Sequence, residues 1–236
     1  MKKKNILGVV GVVVVVGAIG GYLFFNQYMG NNVEIESVIP AQGQASSAET
    51  VDTASTGAKV TSTKLNGDWM IADTSKVYWS VTTSKETVNF VDTAVKGNWS
   101  VNVDDKDVMS GEGSIDMTQL DSGNGQRDEH VKSDDYLAIG TYPEASFKAE
   151  SFSDIPTEWT EGTPVLVEMK GKLTVKGVEK EVSFISEVAY REDQLLLSGT
   201  TNVTFSDFGM KNPHTVVLDT ENDLGVRLEL VLTKAQ

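Results

Sequence analysis

From Val165 to Val175 the chain reads VLVEMKGKLTV, and its residues sort into two alternating sets. One set is Val165, Val167, Met169, Gly171, Leu173 and Val175; the other is Leu166, Glu168, Lys170, Lys172 and Thr174. A period of two with one apolar face describes an antiparallel strand lying between a core and water, because successive side chains leave opposite sides of the pleat. The pattern returns in LLLSGTTNVTF (195–205), with Leu195, Leu197, Thr201, Val203 and Phe205 on one side, and around Val182, Phe184 and Val188. It returns again in Leu224, Val226, Leu228, Leu230 and Leu232, which face away from Arg227 and Glu229. Earlier strand candidates are 76–84 around Val77, Trp79 and Val81, then 86–103, 108–118, and 144–153 around Phe147.

Such strands are long. Eleven residues extend ~36 Å at ~3.3 Å each, against a usual ~17–20 Å. About eight long antiparallel strands with little helix predict an all-β, extended barrel closed on itself, since closure removes exposed edges. Lys176-Gly177 reads as a tight hairpin turn, and Asn124-Gly125 as a second turn. One or two short helices complete the expectation; the clearest spans Gln126 to Ala138, with Val131, Tyr136 and Leu137 as its apolar residues. A barrel of this size is either filled by its own side chains or holds one small ligand. The inward sets are aliphatic and aromatic, a lining that suits a lipid and repels an ionic substrate.

Ahead of the barrel, Ile6 to Phe25 contains no charged residue. Twenty helical residues span ~30 Å, the thickness of a bilayer's hydrocarbon core. A cleaved signal peptide is the competing reading, but its apolar region is shorter, ~7–15 residues. This run passes the small residues Gly17, Ala18, Gly20 and Gly21 into Leu23, Phe24 and Phe25. The expectation is an uncleaved, single-pass signal anchor in the cell membrane. Lys2, Lys3 and Lys4 are then cytoplasmic and the remainder extracytoplasmic. Residues 41–64, AQGQASSAETVDTASTGAKVTSTK, lack aromatics and read as a polar tether. Just before them, Val33, Ile35, Val38 and Ile39 form a short apolar patch with either the membrane or the domain to rest on. The predicted organisation is an anchor over 1–29, a flexible linker over 30–65 and a β domain over 66–236.

Composition removes several chemistries. With no cysteine there is no disulfide, thiolate nucleophile, lipoprotein anchor or iron–sulfur cluster. Two histidines, His130 and His214, are too few for a multi-histidine zinc site. The net charge of -14 argues against nucleic acid as a partner. Residues 1–25 hold three Lys and no acid, so the rest of the chain carries 17 basic against 34 acidic residues. No Gly-x-Ser-x-Gly is present, and neither histidine sits beside a nucleophile in sequence, so no enzyme is expected. Asp219, Glu221 and Asp223 alternate like the start of a calcium loop, but Gly225 falls one place late and Leu230 stands where the bidentate Glu belongs. No metal site or cofactor is expected.

Particular strings then matter. Trp69-Met-Ile-Ala-Asp73 opens the domain, and Val95-Lys-Gly-Asn-Trp99 follows. After them come GQRDEHVKSDDYLAIGTYPEASFKAESF (125–152), GKLTVKGVEKEVSF (171–184) and SDFGM (206–210). In content and order these strings resemble the YceI-like family, most specifically at Arg127-Asp128-x-His130 followed by Tyr142-Pro143-x-x-x-Phe147. The resemblance covers about 66–234. It implies an exported, lipocalin-like barrel whose hydrophobic tunnel binds a long-chain isoprenoid lipid of the polyprenyl or quinone-precursor type. The family commonly carries an Arg shortly before its Asp-Phe-Gly; here Thr204-Phe205-Ser206 precedes Asp207.

The lumen candidates that follow are Trp79, Val81, Phe90, Phe147, Val167, Met169, Leu173, Phe184, Leu197, Val203, Phe205 and Phe208. Arg127 and His130 are the candidates for a polar or phosphorylated head group at the tunnel mouth, since the planar guanidinium matches phosphate. A charged helix start, with Arg127 paired locally, is the other reading of the same cluster. For the whole protein, the alternative to a lipid binder is the same barrel with a packed core, its acidic exterior meeting a cationic partner.

Overall fold

The computed structural model describes residues 30–39, 57–212 and 219–235. The predicted anchor, the middle of the tether and His214 lie outside them. Among the described residues no helix is long and apolar enough to cross a membrane.

Twelve strand segments follow one another among the described residues: β1 (Lys59–Val60), β2 (Gly67–Ile71), β3 (Lys76–Thr83), β4 (Thr87–Asp92), β5 (Val95–Val101), β6 (Ser110–Asp116), β7 (Glu144–Phe152), β8 (Trp159–Thr160), β9 (Val165–Val175), β10 (Val178–Arg191), β11 (Gln194–Thr204) and β12 (Thr220–Lys234). β1 and β8 pair with each other; the other ten form one sheet that closes through β11 and β12. β2 and β3 both lie antiparallel to β12, Ile71 opposite Leu232 and Val77 opposite Leu228, so together they make one interrupted strand. β4 pairs with β3, and β5 with β2, which makes a second interrupted strand. The result is an eight-stranded antiparallel barrel. The expected continuous strand over 86–103 is therefore broken, at Thr93-Ala94. There the Asp92 carboxylate accepts the Ala94 backbone N–H at 2.8 Å and ends the first ladder.

The period-two sets become the two faces of the wall. Val167, Met169, Leu173 and Val175 are buried, while Leu166, on the opposite side of the same strand, is 69% exposed. Turn chemistry sets the registers. Lys176 and Gly177 both have positive φ, 52° and 73°, as a two-residue hairpin turn requires. Glu192 and Asp193 make the same turn between β10 and β11 without a glycine, at 51° and 60°. Asp193 is held there by the Tyr190 hydroxyl, which donates to its carboxylate at 2.5 Å.

Asn124-Gly125 is not a free turn but a helix start: the Asn124 side chain accepts the Arg127 N–H at 3.2 Å, capping helix α1 (Gly125–Lys132). The helix expected to reach Ala138 stops at Lys132. The Ser133 backbone and hydroxyl both turn back to the His130 carbonyl, and turns follow to Tyr142. Strand β11 ends at Thr204, and Phe205–Phe208 forms a 3-10 turn with a reciprocal cap between Thr204 and Asp207.

Residues 30–39 and 57–65, both within the stretch read as linker, are packed on the barrel. Val60 and Leu65 are buried in its main core. Residues 30–39 form a strap across the outer wall. Asn89 on β4 donates its backbone N–H to the Asn31 side chain and its amide to the Val33 carbonyl, both at 3.0 Å. Glu36 N–H donates to the Tyr78 hydroxyl on β3 at 3.2 Å, and its carboxylate pairs with Lys76. Ile39 then packs on Ala189 and Leu196, apolar residues on the outward faces of β10 and β11.

Candidate functional site

The barrel interior holds two apolar cavities. The first has a cavity volume of about 40 Å3 and is lined by Trp79, Trp99, Phe147, Leu173 and Phe184, with Leu228 from the closing strand. Phe147 and Phe184 meet edge to face there, with ring centroids 4.8 Å apart. The second, also about 40 Å3, is lined by Val81, Phe90 and Phe205 from the wall side and by Met117, Leu120 and Leu137 from the segment between β6 and β7. That segment, which includes α1, caps one end of the barrel. Trp79 lines both cavities.

All twelve lumen candidates are buried. Trp79, Phe147, Leu173 and Phe184 reach the first cavity, and Trp79, Val81, Phe90 and Phe205 the second. Val167, Met169, Leu197, Val203 and Phe208 belong to the packed core and line neither cavity. Alternation identifies an inward face; it does not tell which inward side chains touch space and which touch one another.

The head-group candidates sit apart from the cavities. Arg127 donates from its guanidinium to the Gly30 carbonyl at 2.8 Å, holding the beginning of the strap against α1. His130 is exposed and packs against Tyr136, ring centroids 4.7 Å apart and planes tilted by 58°. Tyr136 lines the second cavity, so His130 stands behind the wall. Asp128, between them in sequence, turns inward to accept both the backbone N–H and the hydroxyl of Ser122, at 3.0 and 2.6 Å. Burial raises its carboxyl above the ordinary range, and the Ser122 bonds oppose that.

Sequence reasoning missed the polar groups on the inner face. Asp92 lies opposite Val77 and is fully buried. One carboxylate oxygen accepts from Ala94, and the other has no partner among the described residues. Desolvation pushes this carboxyl up to about 6. Ser186, between Phe184 and Val188, lies opposite Val167 and Gly199, and its buried hydroxyl is also unpartnered among the described residues. The signal was present: both residues occupy apolar places in a period-two set. Glu229 is the outer-face counterpart. It is fully buried under the strap, where Val38 N–H donates to it at 2.8 Å and the Ser198 hydroxyl at 2.7 Å. Arg227 Nε donates to the same carboxylate at 2.5 Å.

An eight-stranded antiparallel barrel with an apolar interior belongs to the class of small barrels that are filled by their own side chains or hold one small molecule. Comparison with known proteins narrows this class. The model of the YceI-like domain matches residues 50–232, and the chain belongs to that family. A UPF0312 protein of Vibrio parahaemolyticus is 31% identical over 100 residues, covering 40% of this chain and 49% of that one. The chain thus spans about half the length of that curated relative. Among solved structures, BcnA of Burkholderia cenocepacia has the same fold, with a TM-score of 0.58 at 19% identity over 66% of this chain and 95% of that one. A polyisoprenoid binding domain from Saccharophagus degradans gives 0.57 at 13% identity, over 71% and 98% of the two chains.

Proposed function

We propose that this protein is a membrane-tethered, extracytoplasmic binding protein that sequesters or transfers a long-chain isoprenoid lipid inside its barrel. The observation that carries the reading is the pair of apolar cavities that share Trp79, inside a sheet closed between β11 and β12. Burial of a prenyl chain there supplies roughly 25 cal/mol per Å2 before ordering costs, and no covalent step is needed. The solved relative described as a polyisoprenoid binding domain supports the same class of ligand.

The strap supports the tether. The apolar run ends at Phe25, and Gly30 is already held by Arg127 beside the capped end of the barrel. An anchor over 1–29 therefore brings the second cavity close to the bilayer surface, a short path for a lipid leaving the outer leaflet.

The test uses the full chain, expressed in a bacterium and recovered from membranes in detergent. Its organic extract is examined by mass spectrometry, and protease added to spheroplasts reports which side the barrel occupies. A stoichiometric prenyl lipid and a protease-accessible barrel are expected. A ligand-free protein that refuses added prenols overturns the binding reading, and a barrel protected in intact spheroplasts overturns the location.

A further inference from the structure

Among the described residues, β4 is the strand of the barrel sheet with a ladder along one edge only. Below it the wall is continuous: β5 and β6 pair from Val95 opposite Ile115 to Ser100 opposite Ser110. β4 itself is bonded to β3, and its other edge meets the chain through one isolated bridge, Val91 with Asp121. The two N–H groups of that bridge donate at 2.8 and 2.9 Å. Two residues back along the same edge, the Asn89 N–H reaches no strand and donates to the Asn31 side chain at 3.0 Å. A seam therefore runs between β4 and residues 117–123. The second cavity lies behind it: Phe90, next to Val91, and Leu120, next to Asp121, both line that cavity.

Residues 30–32 of the strap stitch the two sides of the seam together. On the β4 side, Asn31 accepts from Asn89 and donates its own N–H to Glu86 at 3.3 Å. On the other side, the Gly30 carbonyl accepts from Arg127 at 2.8 Å and the Asn32 amide donates to the Gly123 carbonyl at 3.4 Å. Asn32 also sits hard against that loop, since a Cβ on Gly123 would stand 2.7 Å from its own. The Glu86 and Gly123 bonds are exposed, so water competes for them. A few such bonds open far more readily than a continuous strand ladder. The strap also lies ahead of the matched domain, which begins at residue 50, so the stitch is added to the shared barrel rather than built into it.

We propose that residues 30–32 are the latch of a lateral gate. Released, they let β4 and residues 117–123 part at the Val91–Asp121 bridge and admit a ligand sideways into the second cavity. The inference rests on the lipid-binding reading and adds to it the route of entry and its control. With the proposed anchor over 1–29, a displacement of the chain at the bilayer reaches Gly30 first, so membrane contact and gate opening act on one short segment.

The test compares wild type with the double variant Asn31→Ala with Asn32→Ala, both as the full chain in lipid nanodiscs. Amide hydrogen exchange is measured, and so is stopped-flow tryptophan fluorescence on mixing with geranylgeraniol and on releasing it to excess empty vesicles. In the variant, exchange in segments 87–92 and 119–123 is expected to rise at least about tenfold, while β5, β9 and β10 keep wild-type exchange and report an intact barrel. Entry and release should both speed up about three- to tenfold with the dissociation constant within about twofold of wild type, because a gate alters passage and not the bound state. Glu36→Ala, which removes the Lys76 pair farther along the strap, should change neither measurement. Unchanged exchange at the seam overturns the latch, and faster exchange with unchanged entry and release overturns the gate; in both cases lipid binding itself survives. Weaker binding at an unchanged entry rate overturns the proposal as well, since residues 30–32 would then belong to the bound site. If neither protein takes up geranylgeraniol, the lipid reading falls and the gate falls with it.

Discussion

Glu229 accepts the backbone N–H of Val38 at 2.8 Å, joining residues 191 positions apart in the chain. The second oxygen of the same carboxylate takes Arg227 and Ser198, and the Ser37 hydroxyl donates to the first at 3.3 Å. An outward-facing acid on a strand is thereby sealed beneath ten residues that carry no helix or strand of their own. Every donor around it needs an acceptor, and this fixes what substitution must do.

Glu229→Gln replaces one acceptor oxygen with a donor NH2 and removes the charge opposite Arg227. Whichever way the amide turns, an N–H meets another donor. The expected loss is about 2–4 kcal/mol in a denaturant titration, with faster protease cleavage between Val33 and Ile39. An unchanged midpoint would show that the carboxylate does not clasp the strap. Ile39→Ala, which empties the contact with Ala189 and Leu196, should cost about 2 kcal/mol.

Asp92 gives stability a pH dependence of known sign. Its carboxyl has an ordinary value of 3.8 and is raised to about 6 in the fold, so between these values the folded chain binds more protons than the unfolded one. Stability from this group falls as pH rises through that window and is level above it. Asp92→Asn removes the term while keeping the acceptor for the Ala94 N–H. The variant should gain roughly 2–3 kcal/mol over wild type at pH 7–8 and nothing at pH 3, read as the difference between two denaturation series. A difference independent of pH sinks the assignment.

Gly111 lies under the Trp99 ring. A Cβ there would stand 2.3 Å from the indole, so Gly111→Ala must displace the ring or the strand. The expected cost is about 1–3 kcal/mol, with a change in the Trp99 fluorescence or indole resonance that leaves Trp159 unaffected. A silent substitution would mean the ring is not seated on β6.

Phe184 is fully buried and packs on Phe147 at the first cavity. Phe184→Ala should lose about 3–5 kcal/mol in a denaturant titration, whereas Ile185→Ser, one residue on and 56% exposed, should fall within about 0.5 kcal/mol of wild type. Equal losses at the two sites would contradict the inward and outward assignment of β10.

Much of the wall could be read from the chain because a strand's faces are a local property. Val165 to Val175 alternates, and the observed strand has those same bounds. Lys176-Gly177 needed only its own backbone preferences to be read as a turn. The readings that required neighbours did less well. Asn124-Gly125 suits a turn and a helix start equally; the choice was made by Asp128, whose carboxylate turns back to Ser122 and fits the first turn of α1 to the barrel end. Arg127 suggests a phosphate site by residue type, and residue type could not show that its guanidinium holds Gly30, a partner 97 positions away.

The sequence by itself determined an apolar run long enough for a bilayer, a cysteine-free acidic remainder and the inward faces of the long strands. Each follows from composition or from a period that neighbouring residues define. Tertiary structure alone decided where the lumen stays open, because Val167 and Trp79 share a pattern and differ only in what stands across from them. It also decided that residues 30–39 lie on the barrel. Their contacts depend on Tyr78, Leu196 and Glu229, which come together only when β3, β11 and β12 pair. The tryptophans show the same: Trp69 and Trp159 donate to carbonyls while the buried indole nitrogens of Trp79 and Trp99 have no partner among the described residues, a difference set by which carbonyl the fold brings within reach and recorded by no spacing in the chain.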